Sequence, residues 1–329
     1  MNNKDDIITL GHGSGAGLTR KLISNIFSET FNLPSLEDAV QIEHRLAVTT
    51  DAHVIKPLFF PGGDIGKLSI TGTINDLAMK GAIPRYILCS FIIEEGLPLD
   101  LLRKIVKSMQ TTAVAARVAI IAGDTKVVEI GQADGLYITT TGIGEIPEQV
   151  ELNTGNIKPG DKIIVNGTLG DHTIAIINQR ESLGLEPAPV SDCAALNELV
   201  QMMIRAGKIR FLRDATRGGV ATILNEINAE TGLGIVIQES DLPVQESTRA
   251  VCELLGLDPL YMANEGKLLA VVAPDCEFLL EKMRNHPLGK KSVIIGRVTE
   301  QERKVYLKTE IGGLRPLPLL ASDPLPRIC

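Results

Sequence analysis

The sequence passes twice through an alternation of strand-like and helix-like segments, and this rhythm restricts the possible folds more than any other feature. In the first pass the predicted strands are RLAVTTDAHV, RYILCSFII, VAIIAGDT and LYITTTGIGEI. The predicted helices are DIGKLSITGTINDLAMKGA and LDLLRKIVKSMQTTAVAARV, and the second places on one face Leu102, Ile105, Val106, Met109 and Ala113. A chain that mixes both periodicities is expected to be α/β or mixed α+β.

A cluster of Asn, Gly and Pro, NTGNIKPGD, separates the first pass from the second. Beyond it the predicted strands are KIIVNGTLG, GIVIQES, KLLAVVA and SVIIGRVTE, and the predicted helices are DHTIAIINQRE, CAALNELVQMMIRAG and CEFLLEKMRN. The helix CAALNELVQMMIRAG places Gly207 at its C-cap and presents on one face Leu196, Leu199, Val200 and Met203.

These boundaries predict a chain of four parts. A Gly-rich N-terminal segment spans residues 1–34, and two α/β domains span 35–150 and 158–308. The remaining residues, 309–329, contain four prolines and two adjacent glycines, which favours an extended, flexible tail over a packed element.

Charge and hydropathy exclude several classes of function. The net charge of −7 argues against nucleic acid as the main partner, because phosphate binding requires a basic face. No apolar run reaches the length of about 18 residues that a membrane span requires, and the N-terminus lacks the basic and apolar regions of a secretory signal. We therefore expect a cytoplasmic protein that does not contact the membrane.

The five cysteines have no zinc-type spacing, and their odd number argues against a disulfide framework. Cys89 and Cys252 lie in apolar segments and are predicted to be small core residues. Cys329 is different, because it is the last residue, follows a proline-rich stretch and lies outside any apolar pattern. Composition alone leaves two interpretations open: a cysteine placed by chance, or a reactive thiol on a mobile arm.

The segment ITLGHGSGAGLTRKLI carries glycines at positions 11, 13, 15 and 17 between an apolar run and a helix. Its spacing does not fit the dinucleotide-binding G-x-G-x-x-G motif. It fits either a flexible turn or a loop whose backbone N–H groups cover phosphates. In the nearest approach to a Walker A motif, PGGDIGKLS, Pro61 and Leu68 occupy required Gly and Ser/Thr positions, so a nucleotide site would belong to a different fold.

Four aspartates lie where an apolar run meets a loop or a helix start: Asp51, Asp76, Asp124 and Asp214. Each one alone is better explained as a helix cap or a turn residue than as a metal ligand. Together they favour a site for Mg²⁺, which prefers carboxylates combined with nucleotide phosphates. Glu265 in NEGK is either a solvated turn residue or a general base, and Lys126 beside Asp124 is either a surface ammonium or a phosphate ligand.

Longer strings make a family resemblance specific. TTDAHVIKPLFFPGGDIGKLSITGTINDLAMKGAIP, GDTKVV, GDKIIVNGTLGDHTIAI, RDATRGGVATILNEI and ANEGKLLAVV occur in this order, and the chain ends in PRIC. With these strings, residues 7–329 resemble the HypE family of hydrogenase maturation factors, in the aminoimidazole ribonucleotide synthetase (PurM-like) ATP-binding superfamily. The resemblance implies two PurM-like α/β domains and a homodimer in which strands of both N-terminal domains close a β-barrel.

The resemblance also implies cofactors and roles for individual residues. ATP and Mg²⁺ would lie between the Gly-rich segment and the domains. The implied nucleotide-binding residues are Gly11, Gly13, Gly15, Asn75, Gly123 and Thr125, and the implied magnesium ligands are Asp51, Asp76, Asp124 and Asp214. Glu265 and Lys126 would handle protons, and Cys329 would receive a carbamoyl group from the carbamoyltransferase HypF.

The implied reaction is ATP-dependent dehydration of S-carbamoyl-Cys329 to a thiocyanate, whose cyanide passes to iron carried by the HypC–HypD complex during [NiFe] hydrogenase maturation. Two alternatives remain at this point. One is another PurM-like enzyme, such as selenophosphate synthetase or thiamine-monophosphate kinase; the first of these typically has a reactive Cys in its Gly-rich segment, whereas the first cysteine here is Cys89. The other is a non-catalytic carrier of the modified thiol.

Overall fold

The chain forms two mixed α/β domains, each built on one large sheet, as the alternating pattern predicted. The computed structural model describes residues 7–32, 37–322, 325 and 328. Within these ranges, none of the helices combines the length and hydropathy needed to cross a bilayer. Before the first sheet, residues 7–32 form a short 3-10 turn, Leu10–Gly13, and a helical stretch made of α1 (Gly17–Leu22), a π-helical turn (Ile23–Ser28) and α2 (Glu29–Phe31).

The first domain has a five-stranded sheet in the order β1-β2-β7-β5-β6 and a separate two-stranded ribbon, β3-β4. Its strands are β1 (Val40–Gln41), β2 (Leu46–His53), β3 (Phe59–Phe60), β4 (Gly63–Asp64), β5 (Ile83–Glu94), β6 (Ala119–Val128) and β7 (Leu136–Glu145). Its helices are α3 (Ile65–Met79) and α4 (Leu99–Ala115). β5 and β6 are parallel and α4 connects them, whereas the other neighbours in the sheet are antiparallel.

The two helices of this domain are buried to different extents. Asp64 caps α3 by accepting the N–H groups of Gly66 and Lys67, and α3 is buried on nearly all sides. The predicted apolar face of α4 is confirmed at Ile105, Met109 and Ala113, which are buried. Val106 is 46% exposed, so its assignment to the buried face is wrong; it lies about 100° around the helix from Ile105 and falls outside the packed stripe.

The second domain has a seven-stranded sheet in the order β14-β13-β10-β12-β8-β11-β9. Its strands are β8 (Lys162–Val165), β9 (Ile209–Asp214), β10 (Gly234–Gln238), β11 (Leu268–Val272), β12 (Val293–Thr299), β13 (Val305–Lys308) and β14 (Leu314–Pro316). Its helices are α5 (Asp171–Glu181), α6 (Asn197–Ala206), α7 (Gly219–Thr231), α8 (Glu246–Leu255) and α9 (Glu277–Asn285).

The predicted buried face of α6 and its C-cap at Gly207 are confirmed, but the helix starts four residues later than expected. Ala194 donates its N–H to the carbonyl of Glu265, and Leu196 donates its N–H to Oδ1 of Asn75. The segment 191–194 therefore bonds to other parts of the chain and does not form the first helical turn.

The residues beyond 309 do not form the unpacked tail that the prolines suggested. β14 pairs antiparallel with β13 at the edge of the second sheet, where Pro316 is tolerated. Leu317 is buried, and full burial of a leucine side chain contributes about 1.5–3 kcal/mol. Further on, α1 donates two backbone N–H groups, from Gly17 and Leu18, to the carbonyls of Leu320 and Ala321. Pro324, Pro326 and Cys329 lie outside the described residues.

Candidate active site

Three carboxylates from distant parts of the chain meet in a cavity between the two domains. Asp76 lies on α3, Asp214 is the last residue of β9, and Asp38 precedes β1. One oxygen from each lies within 4.8 Å of the others. We refer to Asp38, Asp76 and Asp214 as the acidic cluster. The cavity around it measures about 370 Å³ and is also lined by Asp51 and Glu265, among others.

The acidic cluster holds more negative charge than its surroundings neutralise. Burial, and then the neighbouring carboxylates, raise the pKa values of Asp76 and Asp214 well above the ordinary value. Burial likewise raises the pKa of Asp38 to about 6, although Arg213, whose Nε lies 2.9 Å from Asp38 Oδ1, opposes the shift. A hard divalent cation with oxygen ligands relieves this repulsion, so the donor set fits Mg²⁺.

Asp51 lies beside the acidic cluster and outside it. It lines the same cavity, and its charge contributes to the raised pKa values of Asp76 and Asp214. Asp51 Oδ2 is 3.4 Å from Nε2 of His53. Burial lowers the pKa of His53, and Asp51 opposes that shift. His53 is therefore a neutral neighbour at this edge of the cavity.

Glu265 presents a buried carboxyl group to the cavity. Its backbone is fixed on both sides, because the N–H donates to Oδ1 of Asp192 at 3.0 Å and the carbonyl accepts from Ala194. Its Oε1 is buried and has no hydrogen-bond partner among the described residues. Burial and then the charge of Asp214 raise the pKa of Glu265 well above its ordinary value. A buried carboxyl with raised proton affinity and a free oxygen is suited to proton transfer.

Asp124 and Lys126 lie away from this cavity in the single chain. Their side chains are 62% and 68% exposed and form an ion pair of 2.7 Å. The expectation that Asp124 ends its strand is wrong, because β6 continues to Val128 along an exposed sheet edge where polar residues are accommodated. Between them lies Thr125, which is also exposed. Gly123 faces β5 closely: a Cβ there would lie 2.3 Å from the carbonyl oxygen of Cys89.

The predicted nucleotide-binding residues of the N-terminal half occupy different surroundings. Gly11 and Gly13 form the turn before α1. Gly15 adopts φ +77° against Arg217, where an added Cβ would lie 2.5 Å from the Arg217 Cβ, and Arg217 lines the cavity. The Asn75 amide bonds to Ala194, Glu265 and Leu196, so in this structure it connects α3 to the second domain.

Sequence reasoning missed Asp38. It lies in a polar stretch without strand or helix periodicity, and its place in the cluster depends on Arg213 of the distant strand β9. The segment 191–194, which holds the backbone of Glu265, also gave no recognisable motif.

Comparisons with known proteins show the family to which the chain is related. Two family models match the chain: the AIR synthase related protein N-terminal domain over residues 36–146 and the C-terminal domain over residues 158–308. A protein of Cupriavidus necator named carbamoyl dehydratase HypE is 48% identical to this chain. The similarity covers 100% of this chain and 97% of that protein.

Two solved structures are similar over nearly the whole chain. A HypE–HypF complex contains a chain that is 45% identical, with a TM-score of 0.87 and coverage of 91% of this chain and 99% of that one. A hydrogenase maturation protein HypE in complex with ATP is 42% identical, with a TM-score of 0.84 and coverage of 98% and 100%.

Proposed function

The chain belongs to the HypE family of carbamoyl dehydratases, which are AIR synthase related proteins, and we propose that it dehydrates an S-carbamoyl group on its own Cys329 to an S-cyanate at the expense of ATP. The observation that carries the proposal is the cavity shared by the acidic cluster and the buried carboxyl of Glu265, whose Oε1 has no hydrogen-bond partner among the described residues. This arrangement supports a proton acceptor in the same cavity as a site for the cation that accompanies ATP phosphates.

The proposed chemistry makes a poor leaving group into a good one. A thiocarbamate loses water slowly because oxide is a poor leaving group. Transfer of the γ-phosphoryl group of ATP to the carbamoyl oxygen breaks the bond between that group and ADP and forms a carbon–oxygen–phosphorus linkage. Loss of two protons from nitrogen and departure of phosphate then leave Cys–S–C≡N, with ADP and phosphate as the other products.

The reaction requires a cation to offset phosphate charge and a base to accept protons, and residues of this chain are assigned to both tasks. Mg²⁺, when bound, would offset charge on the phosphates, and Asp38, Asp76 and Asp214 are the residues that would hold it, with Asp51 next to them. Glu265 accepts protons from the carbamoyl nitrogen, because its raised pKa makes its carboxylate a stronger base than a solvated one.

The Gly-rich segment is proposed to cover the nucleotide phosphates. Gly15 packs against Arg217 at the edge of the cavity, which puts the segment beside the cation site. A HypE protein similar to this chain has been solved with ATP, which supports ATP as the nucleotide here. Asn75, Gly123 and Thr125 remain predicted nucleotide-binding residues.

The protein partners are proposed from the family and from one solved complex. The similar chain in the HypE–HypF structure supports HypF as the carbamoyl donor. The HypC–HypD complex, carrying iron, is the proposed acceptor of the cyanide for the [NiFe] centre.

A homodimer is proposed through the exposed edge of the first sheet. Among the described residues, β6 pairs only with β5, and Ile121 and Val127 on it are 54% and 67% exposed. A second copy that continues the sheet would satisfy this edge and cover these side chains. It would also place Asp124 and Lys126 next to a neighbouring chain, where their predicted metal-binding and proton-transfer roles would apply.

One experiment separates the proposed reaction from the remaining alternatives. Protein that HypF has carbamoylated is incubated with ATP and magnesium, and the C-terminal peptide is analysed by mass spectrometry. A dehydratase yields a peptide lighter by one water molecule, together with ADP. A carrier leaves the peptide mass and ATP unchanged, and a kinase for another substrate consumes no ATP with the carbamoylated protein alone.

A further inference from the structure

His172 connects the C-terminal segment to the interior of the second domain. The imidazole lies on α5 and is fully buried. Its Nε2 is 2.8 Å from the carbonyl oxygen of Ile328, and its Nδ1 is 2.7 Å from Oγ of Ser191. Ile328 itself is only 4% exposed and packs into a core cluster with residues of both domains.

The hydrogen bonds around His172 can be assigned a single direction. A carbonyl oxygen only accepts, so Nε2 carries the proton that bonds Ile328. Burial lowers the pKa of His172, which leaves Nδ1 unprotonated and able to accept from the Ser191 hydroxyl. The Ser191 Oγ in turn accepts the N–H of Cys193 at 3.1 Å. Three hydrogen bonds therefore run in series from the backbone at 193 to the carbonyl of Ile328.

The same segment, 191–194, holds the proposed base. Asp192 accepts the N–H of Glu265, and Ala194 donates to the Glu265 carbonyl. The same four residues, 191–194, therefore support both the hydrogen bond between His172 and Ile328 and the position of the Glu265 backbone. Because Cys329 follows Ile328 directly, an anchored Ile328 restricts where the thiol can go.

We propose that His172 is a positioning residue that seats the C-terminal segment through the Ile328 carbonyl, and so aligns the group on Cys329 with Glu265 for dehydration. The proposal rests on the proposed function for its last step. His172 does not touch the reacting atoms and acts through Ile328 and Ser191. It is needed after the carbamoyl group has been loaded, and not for loading by HypF.

Two variants of full-length protein separate the hydrogen bond from packing. His172→Phe keeps a ring in the buried site and removes both hydrogen bonds, whereas His172→Gln keeps a neutral N–H donor. Phe60→Leu is the matched control, because the Phe60 ring packs edge-on against His172 with 5.6 Å between centroids but offers no hydrogen bond to the carbonyl. Ser191→Ala removes the bonds that the hydroxyl makes to His172 and to the N–H of Cys193, leaves the donor of the bond to Ile328 in place, and serves if His172→Phe does not fold.

The first readout is the rate at which iodoacetamide alkylates Cys329, measured on the C-terminal peptide. It requires no catalysis, and the four cysteines among the described residues are buried. We expect alkylation to rise about tenfold in His172→Phe, which corresponds to about 1.4 kcal/mol of lost anchoring. His172→Gln and Ser191→Ala should give smaller increases, and Phe60→Leu none.

The second readout is the ratio of two rates: single-turnover dehydration of carbamoylated protein and loading by HypF. Dehydration should fall about tenfold in His172→Phe while loading keeps the wild-type rate, with partial rescue in His172→Gln. Three results would overturn the proposal. His172→Phe could show the wild-type alkylation rate, or its dehydration and loading rates could fall by the same factor. Phe60→Leu could also change the rates as much as His172→Phe does. If the wild-type protein itself does not dehydrate, the proposed function fails, and the alkylation rates still decide whether His172 anchors the segment.

Discussion

Nζ of Lys267 lies 2.8 Å from Oδ2 of Asp192, and the two side chains are only 12% and 5% exposed. Oδ1 of the same carboxylate accepts the backbone N–H of Glu265. Burial is the largest single influence and would raise the pKa of Asp192, but the Lys267 ammonium, together with His172 and the hydrogen bonds that Asp192 accepts, outweighs burial and holds that pKa below the ordinary value. The ion pair therefore fixes the carboxylate that holds the backbone of the proposed base.

Lys267→Met should destabilise the protein strongly, because it leaves the Asp192 carboxylate buried without its cation. We expect the free energy of unfolding to fall by about 3–5 kcal/mol, measured by urea denaturation. Lys107→Met, at an exposed position on α4, is the matched control and should change stability by about 0.5 kcal/mol or less. A loss of the same small size at both positions would show that Asp192 does not depend on Lys267.

Glu265→Gln should block dehydration and leave carbamoylation by HypF intact. The amide has nearly the same shape but cannot accept the carbamoyl protons, so we expect the single-turnover dehydration rate to fall by about 10²–10⁴-fold. Because burial raises the pKa of Glu265 and so disfavours its charged form, replacing it with a neutral amide should not lower the melting temperature. Thiocyanate formation at the wild-type rate would remove Glu265 from the mechanism.

Local sequence patterns were sufficient for much of the fold and for part of the site. Alternating periodicity predicted both domains, and Asp76, Asp214 and Glu265 were singled out by their positions beside apolar runs. Those residues lie in helices or strands or directly beside them. The apolar pattern of the local sequence therefore indicates where they are in the fold. Asp38 could not be found in this way, because its position depends on the contact with Arg213.

Two expectations failed because packing overrode local composition. The prolines suggested a free tail, but the side chain of Leu317 is buried and holds this segment against the second domain. Pro316 is tolerated because it lies on an edge strand. Asp124 looked like a strand end, but an exposed edge strand continues through polar residues. The proposed role of His172 could not be predicted from the sequence, since a lone histidine in an apolar helix is an ordinary core residue until its partner Ile328 is known.

The acidic cluster should make the metal-free protein less stable as pH rises. The folded state binds more protons than the unfolded chain wherever the folded pKa exceeds the ordinary value of 3.8, so the free energy of unfolding decreases with pH. For Asp38 this decrease spans about pH 4 to about pH 6, and the raised pKa values of Asp76 and Asp214 add to it in the same direction. Melting temperatures in EDTA across this range measure it.

Mg²⁺ should reverse that loss, and more so at higher pH, because it binds the deprotonated carboxylates. The melting temperature should therefore rise with Mg²⁺ at pH 8 by more than at pH 5.5. Asp214→Asn should reduce both the Mg²⁺ effect and the pH dependence, whereas Asp100→Asn, with an 85% exposed side chain on α4, should leave both unchanged. Equal responses in the two variants would place the cation elsewhere.

The exposed edge of the first sheet gives a test of the homodimer. Val127→Lys introduces a charge on β6 that a partner strand would have to bury, so we expect the molar mass from light scattering to fall from the dimer value to that of one chain. Leu254→Lys, at a 79% exposed position on α8, is the matched control and should keep the wild-type mass. A dimer that persists in Val127→Lys would mean that the copies associate through another surface.

Cys329→Ala should abolish cyanide delivery without disturbing the rest of the molecule. The substitution removes the thiol that carries the carbamoyl group but leaves Leu317 and Ile328 available for packing, so the melting temperature and ATP affinity should match those of the wild type. Hydrogenase maturation in cells that express only this variant should be lost. The variant protein incubated with HypF should also take up no carbamoyl group, which a labelled carbamoyl donor measures directly. Full maturation with the alanine variant would mean that another group carries the carbamoyl, and the role assigned to Cys329 would be wrong.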